Sequence, residues 1–486
     1  MGKGCGVANA GRRQVLGFGG AMVTAGFVDL HPLTSPAEAS GLAVQVANVQ
    51  DTAALAHVGG CAGTVVQTSV FNWHHATALG GARYLLVPQE VRTIDQRWVF
   101  ASATRDWVWQ LVEAQPDPAM FGAQGDGETD DTAALQAGLN YLSHVFGGGE
   151  LVLSPRRYRS GSLSLPRATG IVGSRGGFAS HYPETLSASV YTLVLDVGAT
   201  VTMHEACTMQ GVVLRPHGMT FPQGIDQIAH WEGTAITIAP ESSGVNIGRC
   251  MIVGFAQAIL AAGLGPIYRC RIEDVNLDCL NGISLSDVPD VAYLSRIHAW
   301  NFASTGRRDA NAVERPGVAF RLAKRADWVK LTDCFCYGYE IGFELEDVAD
   351  CLLTGCGADH KQRPSAEASS TGFKLHGRAR NNRLIGCQAA AQGRGIHLTT
   401  NAAEPRLTNH IQGGEVWDNG VALEISAGHA MVSDLAVRVR GGVVIGVAAA
   451  GGRLSGLSFD GIAEPRVSGD EAAIGRFVSD KPVVVS

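Results

Sequence analysis

One recurring phrase limits what this chain can become. From about residue 245, an apolar residue and two variable residues are followed by Cys, Ile, Leu or His. It reads Ile247-Gly-Arg-Cys250, Ile267-Tyr-Arg-Cys270, Leu294-Ser-Arg-Ile297, Leu331-Thr-Asp-Cys334 and Leu353-Thr-Gly-Cys356. It continues as Leu384-Ile-Gly-Cys387, Leu407-Thr-Asn-His410, Val432-Ser-Asp-Leu435 and Leu454-Ser-Gly-Leu457. The intervals are 20, 27, 37, 22, 31, 23, 25 and 22 residues. A second phrase, Gly then an apolar residue then an alternating strand, follows in most repeats. Examples are Gly282-Ile-Ser-Leu, Gly342-Phe-Glu-Leu, Gly372-Phe-Lys-Leu, Gly395-Ile-His-Leu and Gly420-Val-Ala-Leu. Two alternating strands per twenty-odd residues, punctuated by Gly and Asn, make one coil of a parallel β-solenoid. The i, i+3, i+4 spacing of a helical solenoid is absent. The expected fold class is therefore all-β, a single-stranded right-handed parallel β-helix.

Equivalent side chains in such a coil stack about 4.8 Å apart. Cys250, Cys270, Cys334, Cys356 and Cys387 are then expected to form one inward ladder with a structural role. The chain has 11 cysteines, an odd number without a CxxC pair, which fits buried thiols better than disulfides or metal ligands. With 61 glycines and only 17% charged residues, the composition suits many tight turns around a large core. The net charge is −7 and no basic stripe is visible in the sequence, so nucleic acid is not an expected partner. No apolar run is long enough to span a bilayer.

The chain divides by pattern. Residues 1–40 contain Gly11-Arg-Arg-Gln-Val-Leu-Gly17, a mildly apolar stretch and Ala37-Glu-Ala39. They resemble a twin-arginine export signal; the alternative is a flexible tail. Residues 41–118 form a small N-terminal module, 119–465 the β-helix, and 466–486 a C-terminal tail or cap. A solenoid needs its open end covered. The stretch 129–145 supplies a helix for that purpose, with Thr129 or Asp130 as N-cap and Leu135, Leu139, Leu142 and Val145 near one face.

Phe121-Gly-Ala-Gln-Gly-Asp126-Gly-Glu-Thr-Asp130-Asp131-Thr-Ala-Ala-Leu-Gln136 resembles the lead-in motif of the pectate-lyase-like superfamily, which phage tailspikes and capsule depolymerases share. Members usually continue with Pro-x-Gly-x-Tyr; here Pro155-Arg-Arg-Tyr158 lacks the Gly. Arg296-Ile-His-Ala-Trp300 and the stretch from Gly317 to Phe343 are also similar to tailspikes. The resemblance implies a homotrimer acting on a cell-surface polysaccharide, either exported or carried on a virion.

Strand alternation places the candidate site. Residues one and three after each ladder position point outward. These are Arg271 and Glu273, His298 and Trp300, Phe335 and Tyr337, and Gly357 and Asp359. Rings on adjacent rungs, flanked by Glu273 and Asp359, suit the flat faces of sugars. The two widest intervals carry insertions at 301–314 and 360–370, with Arg307, His360 and Arg363 among their basic residues. Trp300, Tyr337, His298, Glu273, Arg307, His360 and Arg363 are the candidate substrate contacts. Hydrolysis needs two carboxyl groups about 5–9.5 Å apart, and Asp359 with Glu340 is the candidate pair, with Asp333 beside it. No calcium loop or His/Cys metal spacing is present, so no metal or cofactor is expected. Three functions remain open on the sequence: a polysaccharide depolymerase (hydrolase or lyase), a non-catalytic receptor-binding spike, and a structural surface protein. Equally open is whether the ring face meets ligand or lies buried beneath a loop or a partner subunit.

Overall fold

The computed structural model describes residues 46–478, apart from 73, 76–77, 175–187, 223, 262, 264, 305–312, 361–368, 402–406 and 462–466. The twin-arginine stretch, the last eight residues, Arg307 and Arg363 fall outside the described residues. From Gly149 to Asp460 the chain winds as a right-handed parallel β-helix. Every pairing between its coils is parallel. Its strands lie on three faces. Face A carries short strands such as Arg271–Glu273, Tyr293–Ser295 and Lys330–Thr332. Face B follows a sharp corner, with Asn276–Asp278, His298–Ala299, Phe335–Tyr337 and Gly357–Asp359. Face C carries longer strands, among them Arg315–Ala326, Tyr339–Glu346, Thr371–Gly377 and Arg394–Thr400. Faces A and C belong to one 23-stranded sheet and face B to a 13-stranded one.

The corner between A and B turns on one residue in the left-handed region. Arg249, Asp274, Arg296, Asp333, Gly355, Gly386, Gly413, Asp434 and Gly456 occupy it, all with φ between 52° and 64°. A single such residue swings the chain through the corner without a loop. Short polar side chains and glycine tolerate this conformation better than most, at a strain cost of about 1–3 kcal/mol for a non-glycine residue. The residue just after the corner points inward.

Register corrects the ladder. Face B pairs His298 with Phe335 and Phe335 with Gly357, so Ile297, Cys334 and Cys356 stack, followed by Cys387. Cys270 is not among them. It precedes Arg271, which pairs with Asn246 and Tyr293, and so stands in a second inward column with Val245, Ala292, Val329 and Cys351 on the A side. Val275 takes its place in the first column. His410 pairs with Arg383 on face A and points outward; Gly414 holds its position. The intervals over 250, 275, 297, 334, 356, 387, 414, 435 and 457 become 25, 22, 37, 22, 31, 27, 21 and 22. Nine of the ten cysteines among the described residues are buried and all are free. Burial pushes the thiols of Cys250 and Cys270 up to about 11 and about 12, which keeps them unreactive. On the C side Phe320, Phe343 and Phe373 stack inward with ring centroids 4.7 Å apart.

The capping helix runs Thr132–Phe146 and buries Leu135, Leu139 and Leu142 against the first coil. Its N-terminus differs from expectation. Asp131 holds the cap position without a capping bond, and Asp130 instead accepts from the Thr132 amide at 2.9 Å. The Asp131 carboxylate turns back to the amides of Gln124 and Gly125, at 2.7 and 3.0 Å. It thereby ties the lead-in motif to the helix. Before the helix lies a five-stranded sheet drawn from Val46–Val49 to Trp107–Leu111. Trp109 is fully buried there, and the Tyr141 hydroxyl of the helix donates to the carbonyls of Leu111 and Glu113. At the far end the short helix Glu471–Ile474 buries Ala473.

Candidate functional site

Face B presents the expected ring cluster. His298 meets Phe335 at 5.4 Å between centroids and Trp300 at 6.0 Å, and Trp300 faces Tyr337 at 6.4 Å. The rings are only partly open. The loop that carries Met219 and Phe221 reaches over the coils that follow it, and these two side chains pack with Val213, Met251, Val253, Phe302 and Trp300. Phe302 is buried completely, while Phe335 is 37% exposed. The loop therefore covers one end of the cluster and leaves the Phe335–Tyr337 end accessible.

Beneath the covered end, Asp278 and Arg315 form an ion pair at 2.6 Å with both side chains at 0% exposure. The Asp278 carboxylate also accepts from the Ala303 amide at 2.7 Å, and Arg315 lies 4.9 Å from the Trp231 ring. Burial raises the Asp278 pKa and the Arg315 charge opposes that rise. This pair clamps both ends of the 301–314 insertion to the coil.

Asp359 sits beside Tyr337 on the next rung. Its side chain accepts from the His360 amide at 2.7 Å. The His360 ring lies 3.6 Å from Glu314. Burial lowers its pKa, while the charges of Glu314 and Glu340 oppose that fall. His360 thus stands in the field of two carboxylates, one of which, Glu314, sequence reasoning passed over as part of an insertion. Two expected members lie elsewhere. Glu273 is on face A, across the Asp274 corner from the rings, and turns to Arg296 at 3.7 Å. The displacement follows from the misassignment of Cys270. Asp333 is a corner residue with φ 53°, so its place in the chain is set by the turn.

Face C carries a close-set row of ionisable side chains. Register lines up Ser284, Arg321, Glu344, Lys374, His397 and Glu424 on successive rungs. Arg321 reaches both Glu344, at 3.3 Å, and Glu346, at 2.6 Å. Glu344 also meets His376 at 3.1 Å and Lys374 at 3.5 Å, with only 9% of its side chain exposed. Burial would raise the Glu344 carboxyl, yet the His376 bond and the charges of Lys374 and Arg321 hold it below the ordinary value. Farther along, Glu424 accepts from Arg394 and the Ser426 hydroxyl, both at 2.6 Å, and His397 meets Ser426 at 3.0 Å. Burial pushes His397 down, so it is biased toward the neutral form. The arrangement offers an ionised carboxylate hydrogen-bonded to an imidazole, a second carboxylate two residues away, and guanidinium and ammonium groups beside them. That set can accept, relay and donate protons and neutralise developing negative charge. The signal was in the sequence: the third letter of Gly342-Phe-Glu-Leu, Gly372-Phe-Lys-Leu and Gly395-Ile-His-Leu is this row. Among the described residues no His/Cys/Asp/Glu group has the arrangement of a metal site.

No known sequence family and no curated protein matches the chain. Among solved structures it is similar to the A-module of mannuronan C-5 epimerase AlgE6 from Azotobacter vinelandii, 15% identical, with a TM-score of 0.52 over 76% of this chain and 100% of that one. The AlgE4 A-module of the same bacterium gives 15% identity and a TM-score of 0.49, over 73% and 100%. The tailspike of Acinetobacter phage vB_ApiP_P1 gives 11% and 0.46, over 92% and 76%. At such identities only the fold is common, and the first likeness is the one that carries it. The chain has the right-handed parallel β-helix fold.

Proposed function

We propose that this protein binds an extracellular or cell-surface polysaccharide and cleaves it by acid–base chemistry on face C, with Glu344 and His376 at the centre. The observation that carries this reading is one strand, Tyr339–Glu346. It bears Glu340 near His360 at one end and Glu344 and Glu346 in the cation-lined row at the other. In this reading the Phe335–Tyr337 end of the ring cluster guides the sugar chain and Arg321 and Lys374 compensate charge at the reacting centre. The same fold serves a mannuronan C-5 epimerase. Incubation with a panel of bacterial capsules and lipopolysaccharides should release oligosaccharides from at least one. Binding without release would leave a receptor-binding spike, and neither would leave a structural protein.

A second reading keeps the chemistry at Asp359 and Glu340, favoured by the buried His360 between acidic neighbours. Asp359→Asn then abolishes release while Glu344→Gln spares it. We further propose a homotrimer with parallel axes, either exported or displayed on a virion. Light scattering at micromolar concentration should give three times the chain mass, and a monomer mass removes the trimer. Among the described residues no helix is long and apolar enough to cross a membrane.

A further inference from the structure

Face A carries a feature that neither the ring cluster nor the Glu344 row uses. Its outward residues form two columns, because the middle residue of each short strand is buried. The first column runs Arg271, Tyr293, Lys330, Leu352, Arg383, His410, Met431 and Arg453 over eight successive rungs. Arg271, Lys330 and Arg383 fall on every second rung, so their cations repeat at about 10 Å. Tyr293, 44% exposed, and Met431, 39% exposed, lie between or beyond them on the same line. The second column runs Glu273, Ser295, Thr332, Thr354, Ile385, Gln412, Ser433 and Ser455. Its one carboxylate, Glu273, is turned to Arg296 at 3.7 Å.

Among the described residues no ion pair joins Arg271, Lys330 or Arg383 to a carboxylate. Arg271 lies 6.0 Å from the Tyr293 ring, and Lys330 5.3 Å from the Trp328 ring with a 3.4 Å bond to the Asp350 carbonyl. These contacts leave the positive charge in place. The Arg383 charge, after burial, also lowers the pKa of His410 on the next rung. A straight row of like charges, held at a fixed interval by the β-ladder itself, raises the local concentration of a complementary polyanion.

We infer that face A is a docking strip for a linear carboxylated polysaccharide, laid along the solenoid axis with acidic groups on the cation column and hydroxyls on the Ser/Thr column. The spacing argues against a nucleic acid. Duplex DNA carries a charge every ~1.7 Å, far denser than this row. The single-file line with a hydroxyl-bearing flank likewise suits a chain better than a lipid surface. The strip is on a different face from the reacting groups and would hold a polymer whether or not the chain is cut.

The test uses the full chain and the triple variant Arg271→Gln, Lys330→Gln, Arg383→Gln. Binding is measured to polygalacturonate, a carboxylated probe, and to pullulan, a neutral one, at low and at high salt. Wild type should bind polygalacturonate at low salt and release it at high salt, because exposed charges are screened. The triple variant should bind about tenfold more weakly at low salt, as expected of three solvent-exposed charge contacts. Its thermal unfolding should match wild type, which confirms that the loss is local. Equal binding by variant and wild type overturns the strip. So does binding that ignores salt, or tighter binding to phosphatidylglycerol vesicles or single-stranded DNA than to polygalacturonate. Cleavage is read on oligosaccharide release, so failure of the strip and failure of the cleavage reading are separate results.

Discussion

Faces A and C are built by the same device and treat charge in opposite ways. On each, rung stacking draws residues that are twenty to forty positions apart in sequence into a straight outward column. On face C the column alternates sign: Glu344 sits between Arg321 and Lys374, and Glu424 beside Arg394 and His397. On face A the column has one sign, and among the described residues no ion pair joins its Arg271, Lys330 or Arg383 to a carboxylate. Alternation permits close packing, so carboxyls and imidazoles become half-buried and their pKa values move. A single-sign column stays open to solvent and produces a field instead. The Asp278–Arg315 pair beneath the ring cluster shows a third treatment, complete burial. In the proposed reading, proton chemistry belongs with the alternating column, attraction with the single-sign one, and fastening with the buried pair.

The sharpest way to break this ranking is through stability. Arg315→Ala leaves the Asp278 carboxylate buried without its partner and should cost about 3–5 kcal/mol, read as a lower denaturant midpoint. Proteolysis within 301–314 should also become faster. A cost below about 1 kcal/mol would mean that water reaches the pair. Next in size is a neutral core change. Cys356→Ser places a hydroxyl in the inward ladder, where the thiol is at 0% exposure, and should cost about 1–3 kcal/mol. An unchanged melting curve would count against the ladder. Smallest is Arg383→Ala on face A, expected within about 0.5 kcal/mol because nothing buried depends on it. A larger loss would show that the column braces the fold.

Acid separates the faces as well. Glu344 and Glu424 are both held below the ordinary carboxylate pKa of 4.5 in the folded chain. A depressed pKa contributes stability that is present above the unfolded value and is lost as pH falls through the folded one. Wild type should therefore lose stability below pH about 4.5, and Glu344→Gln should lose less over that window. Identical acid profiles would show that the row holds no such linkage.

The coil itself was legible, because Leu331-Thr-Asp-Cys334 and Leu353-Thr-Gly-Cys356 repeat apolar residues at positions that only a solenoid brings together. The register was less so. Ile267-Tyr-Arg-Cys270 precedes a different turn from Ile247-Gly-Arg-Cys250 but has the same pattern, and this moved Glu273 onto the wrong face. The corner column explains why: Arg249, Asp274 and Arg296 adopt the conformation that glycine adopts at 355 and 386, so no one letter marks the turn. Trp300 and Tyr337 were placed correctly on face B by alternation alone. The Met219–Phe221 cover was not, since it comes from a loop about 80 residues upstream whose own sequence has no period. The charged row was written in the third letter of the repeated Gly phrase, whereas the cation strip was hidden, because Arg271, Lys330 and Arg383 are never neighbours in sequence and form a basic stripe only once the rungs are stacked.

The central claim is that chemistry belongs to the half-buried row of face C, with Glu344 as its acid–base group. The most direct measurement is the rate of oligosaccharide release by Glu344→Gln on whichever capsule or lipopolysaccharide the wild type cleaves, with binding measured in parallel. The account predicts a fall of about 10²–10⁴-fold in rate, the usual contribution of a general acid–base group, with affinity nearly unchanged. Release at the wild-type rate by Glu344→Gln, together with its loss in Asp359→Asn, would contradict the account and move the reacting centre to the edge of face B.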